Sequence, residues 1–301
     1  MITVIGSINL DLIGNVSRLP KPGETVPGST FKTAPGGKGA NQALAAARAG
    51  APTRMIGAVG KDGFAAEALA LLKAGGVDVS RLRESAASTG IAMILVDDKG
   101  ENVIAVIPGA NASILPADVE KLPIGGGVVL LQHEIPLETV EAALDAAREA
   151  GARSILNTAP FRMEAAHLLE KADYVVANET EFDLYAKALK LKGADRPALM
   201  SAFASSTGRT IVVTLGSDGV VATTGDGGQI AVPALEVEPV DTVGAGDTFC
   251  GYFGAALLAG LPLDKALQRA AAAGSLACLK PGAQPSIPMA SDVDAALSQP
   301  G

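Results

Sequence analysis

Cysteine and histidine occur only twice each in the 301 residues, as Cys250, Cys278, His133 and His167. The cysteines lie in Ala-rich surroundings without a Cys-x-x-Cys spacing, so neither a disulfide framework nor a zinc site is indicated. Basic residues are also in the minority. With 24 Lys+Arg against 32 Asp+Glu the formal net charge is −8, which argues against a protein built to coat a nucleic-acid backbone or an anionic membrane. No apolar run reaches membrane-spanning length. The opening stretch lacks a basic region and carries Asn9 and Asp11, so it reads as a first strand rather than a signal peptide, and a cytoplasmic protein is expected. An apolar fraction of 48% with 19% charged residues excludes disorder, and the length suits one large α/β domain or two smaller ones.

Apolar runs, Gly/Pro turns and Ala-rich stretches alternate along the chain, the pattern of a parallel sheet covered by helices. Strands are expected at 3–5, 54–59, 128–132, 154–157, 174–177 and 210–215, as short runs buried on both faces. Helices are expected at 40–49, 65–74, 137–150 and 179–189. Two segments, about 10–32 and 89–107, are extended with no helix between; the second reads as a hairpin turning at Asp98-Lys99-Gly100. They are assigned to a small antiparallel sheet, a lid over the carboxyl edge where such folds bind ligands. No linker separates two independent domains, so residues 1–301 are read as one unit.

The most informative segment is Asp241-Thr242-Val243-Gly244-Ala245-Gly246-Asp247, which leads into an Ala-rich helix. Its small residues allow backbone N–H groups to converge on an anion at the helix start, and Asp247 at that rim could take a proton from an attacking hydroxyl. Equally, Asp247 could simply cap the helix. A second run, Gly36-Gly37-Lys38-Gly39-Ala40-Asn41-Gln42, fits neither a P-loop nor a dinucleotide fingerprint; it would bring backbone close to a polyol, with Lys38 and Asn41 as donors, or merely turn the chain. Asn9 and Asp11, two apart, share one side of an extended segment and suit vicinal hydroxyls. Glu134 follows a strand at the same edge. Asn178-Glu179-Thr180-Glu181 opens a helix after a strand, where its carboxylates could organise magnesium or only favour the helix start. Thr214 to Gly219 follows another strand and would pass beneath nucleotide phosphates or ribose. The two histidines read as structural or surface residues and Cys250 as a small core residue.

Taken in order, these motifs, with Gly6-Ser7-Ile8-Asn9, Gly100-Glu101-Asn102, Gly109-Ala110-Asn111-Ala112 and Gly282-Ala283-Gln284-Pro285-Ser286, resemble the PfkB carbohydrate kinase family along essentially the whole chain. The Gly-Gly-Lys-Gly-Ala-Asn and Gly-Ala-Gln-Pro-Ser runs resemble its ribokinase branch. The resemblance implies a three-layer α/β/α fold with a small antiparallel β-sheet lid, paired between two copies as a homodimer. It implies ATP-dependent phosphorylation of D-ribose at the 5-hydroxyl, with Mg2+ and an activating K+. By that resemblance Asp247 is the base and Gly244, Ala245 and Gly246 form the anion hole; Asn9, Asp11, Gly37, Lys38, Asn41 and Glu134 hold the sugar. Asn178, Glu181, Thr214, Ser217 and Gly219 line the nucleotide site together with Gly246, and the monovalent cation maps to Asp241, Val243, Ala277, Lys280, Gly282 and Ser286. Three positions depart from the family pattern: Pro35 and His133 near the expected sugar pocket, and Ala271 near the expected adenine. Alternatives from the same family are a kinase for 2-deoxyribose, another sugar or a nucleoside. From a different class, the alternative is a sugar or nucleotide sensor without catalysis.

Overall fold

A computed structural model describes residues 1–120 and 125–298. The chain begins with β1 (Ile2–Ile5), buried throughout, and then leaves the main layer as an antiparallel pair, β2 (Asn9–Val16) and β3 (Gly28–Gly36). Helix α1 (Lys38–Arg48) leads back to β4 (Thr53–Ile56), parallel to β1. A short strand, β5 (Ala58–Gly60), then two short helices, α2 (Gly63–Ala68) and α3 (Ala70–Ala74), precede β6 (Arg83–Ser85), which pairs with β5. The hairpin β7 (Gly90–Val96) and β8 (Asn102–Ile107) follows. The remaining main-layer strands are β9 (Val128–Leu131), β10 (Arg153–Asn157), β11 (Tyr174–Asn178), β12 (Thr210–Thr214), β13 (Val220–Thr223) and β14 (Gln229–Val232). Between and after them come α4 (Leu137–Glu149), α5 (Glu179–Ala188), α6 (Arg196–Thr207), α7 (Ala245–Leu258), α8 (Leu263–Ala277), α9 (Ala283–Ser286) and α10 (Ala290–Ser298).

The main sheet has eight strands in the order β14-β13-β12-β11-β10-β9-β1-β4. From β12 to β4 all neighbours run parallel, whereas β13 and β14 extend the edge as an antiparallel hairpin. Because successive side chains alternate between faces, Val4, Leu130 and Val212 join a core with Leu44, Phe253 and Leu267 of α1, α7 and α8. Their neighbours Ile5, Leu131 and Val213 join a second core with Val140, Phe182 and Phe203 of α4, α5 and α6. Those two cores make the three layers.

The expected parallel strands and four helical regions are present, with three differences. The run at 54–59 divides at Gly57 into β4 and β5, which belong to different sheets. A Cβ on Gly57 would stand 3.0 Å from the Gly6 carbonyl oxygen, so the chain bends where it passes the end of β1. The helix expected at 65–74 is split at Leu69. The small sheet, in the order β3-β2-β7-β8, is mixed rather than antiparallel, since its central pair β2 and β7 runs parallel. These two strands are separated in sequence by α1 to α3 and not by a hairpin, so both start at the main sheet and point the same way. The β7–β8 turn falls where expected: Asp97 Oδ1 accepts the N–H groups of Lys99 and Glu101.

Candidate active site

The side chains singled out from the sequence gather at the carboxyl ends of β1, β9, β11 and β12. Asp247 lies in the first turn of α7 and is buried. It does not cap its own helix. Gly244 occupies the N-cap in a left-handed conformation, φ 79°, with no side-chain cap bond, and a Cβ there would meet Ala283 at 2.8 Å. The Asp247 carboxylate is held instead by α1: Asn41 Nδ2 donates to Oδ2 at 2.9 Å and Gln42 Nε2 to Oδ1 at 3.0 Å. Among the described residues no acceptor takes the N–H of Gly246 or Asp247, and the space in front of Gly246 is open. Two free donors at a helix start beside an oriented carboxylate form a site for a negatively charged group next to a proton acceptor.

Packing brings the two helices together. Gly251 lies one turn beyond Asp247, and a Cβ there would fall 2.6 Å from the Gln42 carbonyl oxygen and 2.5 Å from Ala45. Gly39 likewise lets the start of α1 close on Gly6 and Ser7. At that start Glu134 Oε2 accepts the Ser7 hydroxyl at 2.5 Å and the Lys38 N–H at 3.1 Å. Asn111 accepts from the Ile8 N–H at 2.9 Å and donates to Asn9 Oδ1 at 2.7 Å, leaving the Asn9 amide NH2 as the group presented to a ligand. Asp11 stands against Gly36, where a Cβ would fall 2.5 Å from its carboxylate. Burial, and secondarily the charge of Glu134, push the Asp11 carboxyl up to about 6. The Lys38 ammonium is raised, chiefly by Asp247 and then by Glu134 and Glu181, against the opposing effect of burial. Gly37 has φ 89°, and a Cβ on it would be 2.7 Å from the Asn9 nitrogen. A cleft of about 330 Å³ opens beside Asn9 and Glu134, under Val106 of β8 and facing Ile135 and Arg162.

On the nucleotide side, Asn178 and Thr214 are paired in register at the ends of β11 and β12. Asn178 Oδ1 accepts the Glu181 N–H at 2.8 Å, and Glu181 Oε2 accepts the Asn178 N–H at 3.1 Å, a reciprocal cap that fixes both. Glu179 pairs with Arg196 at 2.6 Å on the flank of α5. Ser217 lies in the turn after β12, which Gly219 closes with φ 96° at a point where a Cβ would overlap the Val232 carbonyl. Of the expected cation residues, Asp241, Val243 and Gly282 are brought together by hydrogen bonds. Asp241 accepts the N–H groups of Val243 at 3.0 Å and Gly282 at 2.8 Å, tying the loop before α7 to the loop after α8. Pro281 has no N–H to give the Ala277 carbonyl, and among the described residues neither Val243 nor Lys280 has its carbonyl taken by a backbone donor. Ser286 Oγ donates to Ala283, which leaves its lone pairs free. An all-oxygen set with one carboxylate suits a hard cation.

Sequence reasoning gave no role to Ser7, Gln42, Asn111, Gln132 or Asn157, all of which brace the site. His133 lines the cleft beside Asn9 and Glu134; its Nδ1 meets Tyr185 Oη at 3.2 Å and the Pro160 carbonyl at 3.3 Å, and burial lowers it to about 4. His167 is exposed and Cys250 buried.

A sequence profile described as "pfkB family carbohydrate kinase" matches residues 1–290. The chain belongs to that family. Within it, the chain is 38% identical to a ribokinase of Bacillus subtilis over 99% of both chains. A deoxyribokinase of Salmonella typhimurium is 33% identical over 95% of each. Among solved structures, the ribokinase of Arabidopsis thaliana complexed with ribose and ATP superposes with a TM-score of 0.87 at 31% identity, covering 99% of each chain. This pfkB kinase therefore has the ribokinase fold that its motifs imply.

Proposed function

We propose that this chain transfers the γ-phosphoryl group of ATP to the 5-hydroxyl of D-ribose, giving ribose 5-phosphate and ADP. The observation that carries the reading is the Asp247 carboxylate, held by Asn41 and Gln42 beside unpaired N–H groups of α7 instead of capping that helix. Asn9, Asp11, Glu134, Lys38, Asn41 and the Gly37 backbone hold the sugar, the acidic groups accepting from its hydroxyls and the amides donating. Asp247 takes the proton of the 5-hydroxyl as that oxygen bonds to phosphorus, and the bond to the leaving ADP oxygen breaks. The turn Gly244-Ala245-Gly246 brings the free N–H groups of Gly246 and Asp247 to the charge on the transferring group. Asn178, Thr214, Ser217 and Gly219 line the nucleotide, and Glu181 orders the magnesium that arrives with ATP as part of the substrate. Asp241, Val243, Ala277, Lys280, Gly282 and Ser286 would hold K+, which would set the charge and shape of the loop forming the anion hole.

The lid carries exposed apolar side chains on both faces, among them Met93, Val103, Ile104 and Val106. An apolar sheet of this kind fits pairing with the lid of a second copy. Among the described residues no helix is long and apolar enough to cross a membrane.

The test is ADP release from magnesium-ATP with D-ribose, 2-deoxyribose, fructose and adenosine, with Asp247→Asn as the blank. Ribose as the preferred acceptor supports the reading. Preference for 2-deoxyribose would move the assignment to the branch of the Salmonella relative. Such a comparison is sharp, because a site that hydrogen-bonds one hydroxyl rejects the analogue lacking it by about 10⁴–10⁵.

A further inference from the structure

We propose that Gln132 is a positioning residue that fixes the orientation of the Gln42 amide and, through it, the Asp247 carboxylate. The inference rests on the phosphoryl-transfer reading above. Gln42 is buried, and all of its amide is committed: Nε2 donates to Asp247 Oδ1 at 3.0 Å and to Asn157 Oδ1 at 3.2 Å, while Oε1 accepts from Gln132 Nε2 at 2.6 Å. An amide can be turned over with little change of shape, so shape alone does not decide which end of Gln42 faces Asp247. Turned over, its oxygen would oppose both the Asp247 carboxylate and the Asn157 carbonyl, and its NH2 would oppose the NH2 of Gln132. Gln132 therefore acts with Asp247 and Asn157 to hold Gln42 with its donor end toward the base.

Gln132 is itself fully buried at the end of β9 and owes its place to Gly6, where a Cβ would overlap its Oε1. That oxygen has no partner among the described residues, so Gln132 offers Gln42 a donor while its own acceptor goes unused. An unpaired buried acceptor costs stability, roughly 1–3 kcal/mol. A side chain kept for packing alone would be better apolar. Gln132 does not reach Asp247 in the hydrogen-bond network; it acts on the base through Gln42.

The experiment compares Gln132→Glu and Gln132→Leu with the parent in two backgrounds, wild type and Asp247→Asn, using radiolabelled ATP to follow residual transfer to ribose. Gln132→Glu keeps the shape and, read at a pH high enough to ionise this buried carboxyl, presents only acceptors to Gln42, which then turns its oxygen toward Asp247. Its kcat should fall about 10–100-fold, the scale of a misplaced catalytic group, with KM for ribose and ATP held within about twofold. Gln132→Leu, which removes the donor without reversing the amide, should lose less. In the Asp247→Asn background neither change should lower kcat by more than about threefold, because residues acting as one unit are not additive. A merely structural role would give equal losses in both backgrounds, and that result, or unchanged kcat for Gln132→Glu, overturns the proposal. Wild-type turnover of ribose and its loss in Asp247→Asn are read in the same assay. Failure of those two ends the phosphoryl-transfer reading, whereas their success with insensitive Gln132 variants ends only the relay.

Discussion

Gly251 and Gln42 touch backbone to backbone: a Cβ on Gly251 would fall 2.6 Å from the Gln42 carbonyl oxygen. Since Gly251 is four residues after Asp247, this close approach of α7 to α1 is what places the amides of Asn41 and Gln42 on the carboxylate. Gly251→Ala should therefore separate the helices and cost stability and turnover together. Overpacking of this kind costs about 1–3 kcal/mol. Denaturant midpoints and kcat read on the same preparation check it; a normal kcat would mean that the helix spacing does not position Asp247.

Asp247→Asn keeps the shape of the site and the donors around it but removes the proton acceptor. Turnover should fall by about 10²–10⁴-fold, the usual effect of losing a general base. Ribose affinity, measured calorimetrically without nucleotide, should change little, because Asn9, Asp11 and Glu134 remain. Near-normal turnover would remove Asp247 from its role.

Asp11 gives the clearest dependence on pH. Its folded value of about 6 lies above the ordinary 3.8, so the stability it contributes to the ligand-free protein is fully present below about pH 3.8 and is lost as pH rises through 6. At pH 8 the ionised, half-buried carboxylate costs up to about 3 kcal/mol. Asp11→Asn should accordingly raise the melting temperature at pH 8, with a difference that shrinks toward pH 4. Sugar hydroxyls donate best to the ionised form, so wild-type ribose affinity should weaken by about tenfold per unit below pH 6. Asp11→Asn should bind weakly at all pH values. A ribose affinity flat from pH 5 to 8 would contradict the assignment.

How much of this was legible in the sequence follows from what each residue faces. Strands β1, β9, β10, β11 and β12 read within a residue because Val128 to Leu131 and its counterparts are buried on both sides and so appear as unbroken apolar runs. Strands β13 and β14 are interrupted by a polar, Gly-rich turn at an edge, and that signal is no stronger than a loop's. The break at Gly57 is imposed by β1, far away in sequence. Asn9, Asp11 and Glu134 could be placed because acidic and amide groups at strand ends carry their own chemistry. The choice between Asp247 as a cap and Asp247 as a base could not be made locally. It is decided by Asn41 and Gln42, about 200 residues upstream, and an amide in an Ala-rich helix does not announce its partner.

Asp241 connects the two loops of the expected cation site, and it accepts N–H groups from both. Asp241→Ala should remove the activation expected when Na+ is replaced by K+ at constant ionic strength, and should lower kcat more than ribose affinity, since Gly244 to Gly246 follow directly. Equal rates of the wild type in Na+ and K+ would set aside the cation site while leaving the Asp247 chemistry in place.

The lid predicts its own assembly. All six residues of β8 are exposed, it is the edge strand of the small sheet, and Val103 and Ile104 point to opposite faces because neighbouring side chains alternate. Edges and apolar faces of this kind are used for pairing or are protected by charge, and β8 from Asn102 to Ile107 carries no charged residue. Pairing of two lids would bury both faces of β8. The double variant Val103→Lys with Ile104→Lys should then sediment as a monomer at concentrations where the parent is a dimer. Because Val106 of the same strand overhangs the cleft beside Asn9 and Glu134, the monomer should also bind ribose less tightly, while Asp247 and its amides remain in place. A parent that sediments as a monomer, or a variant that remains dimeric, would place the contact elsewhere or remove it.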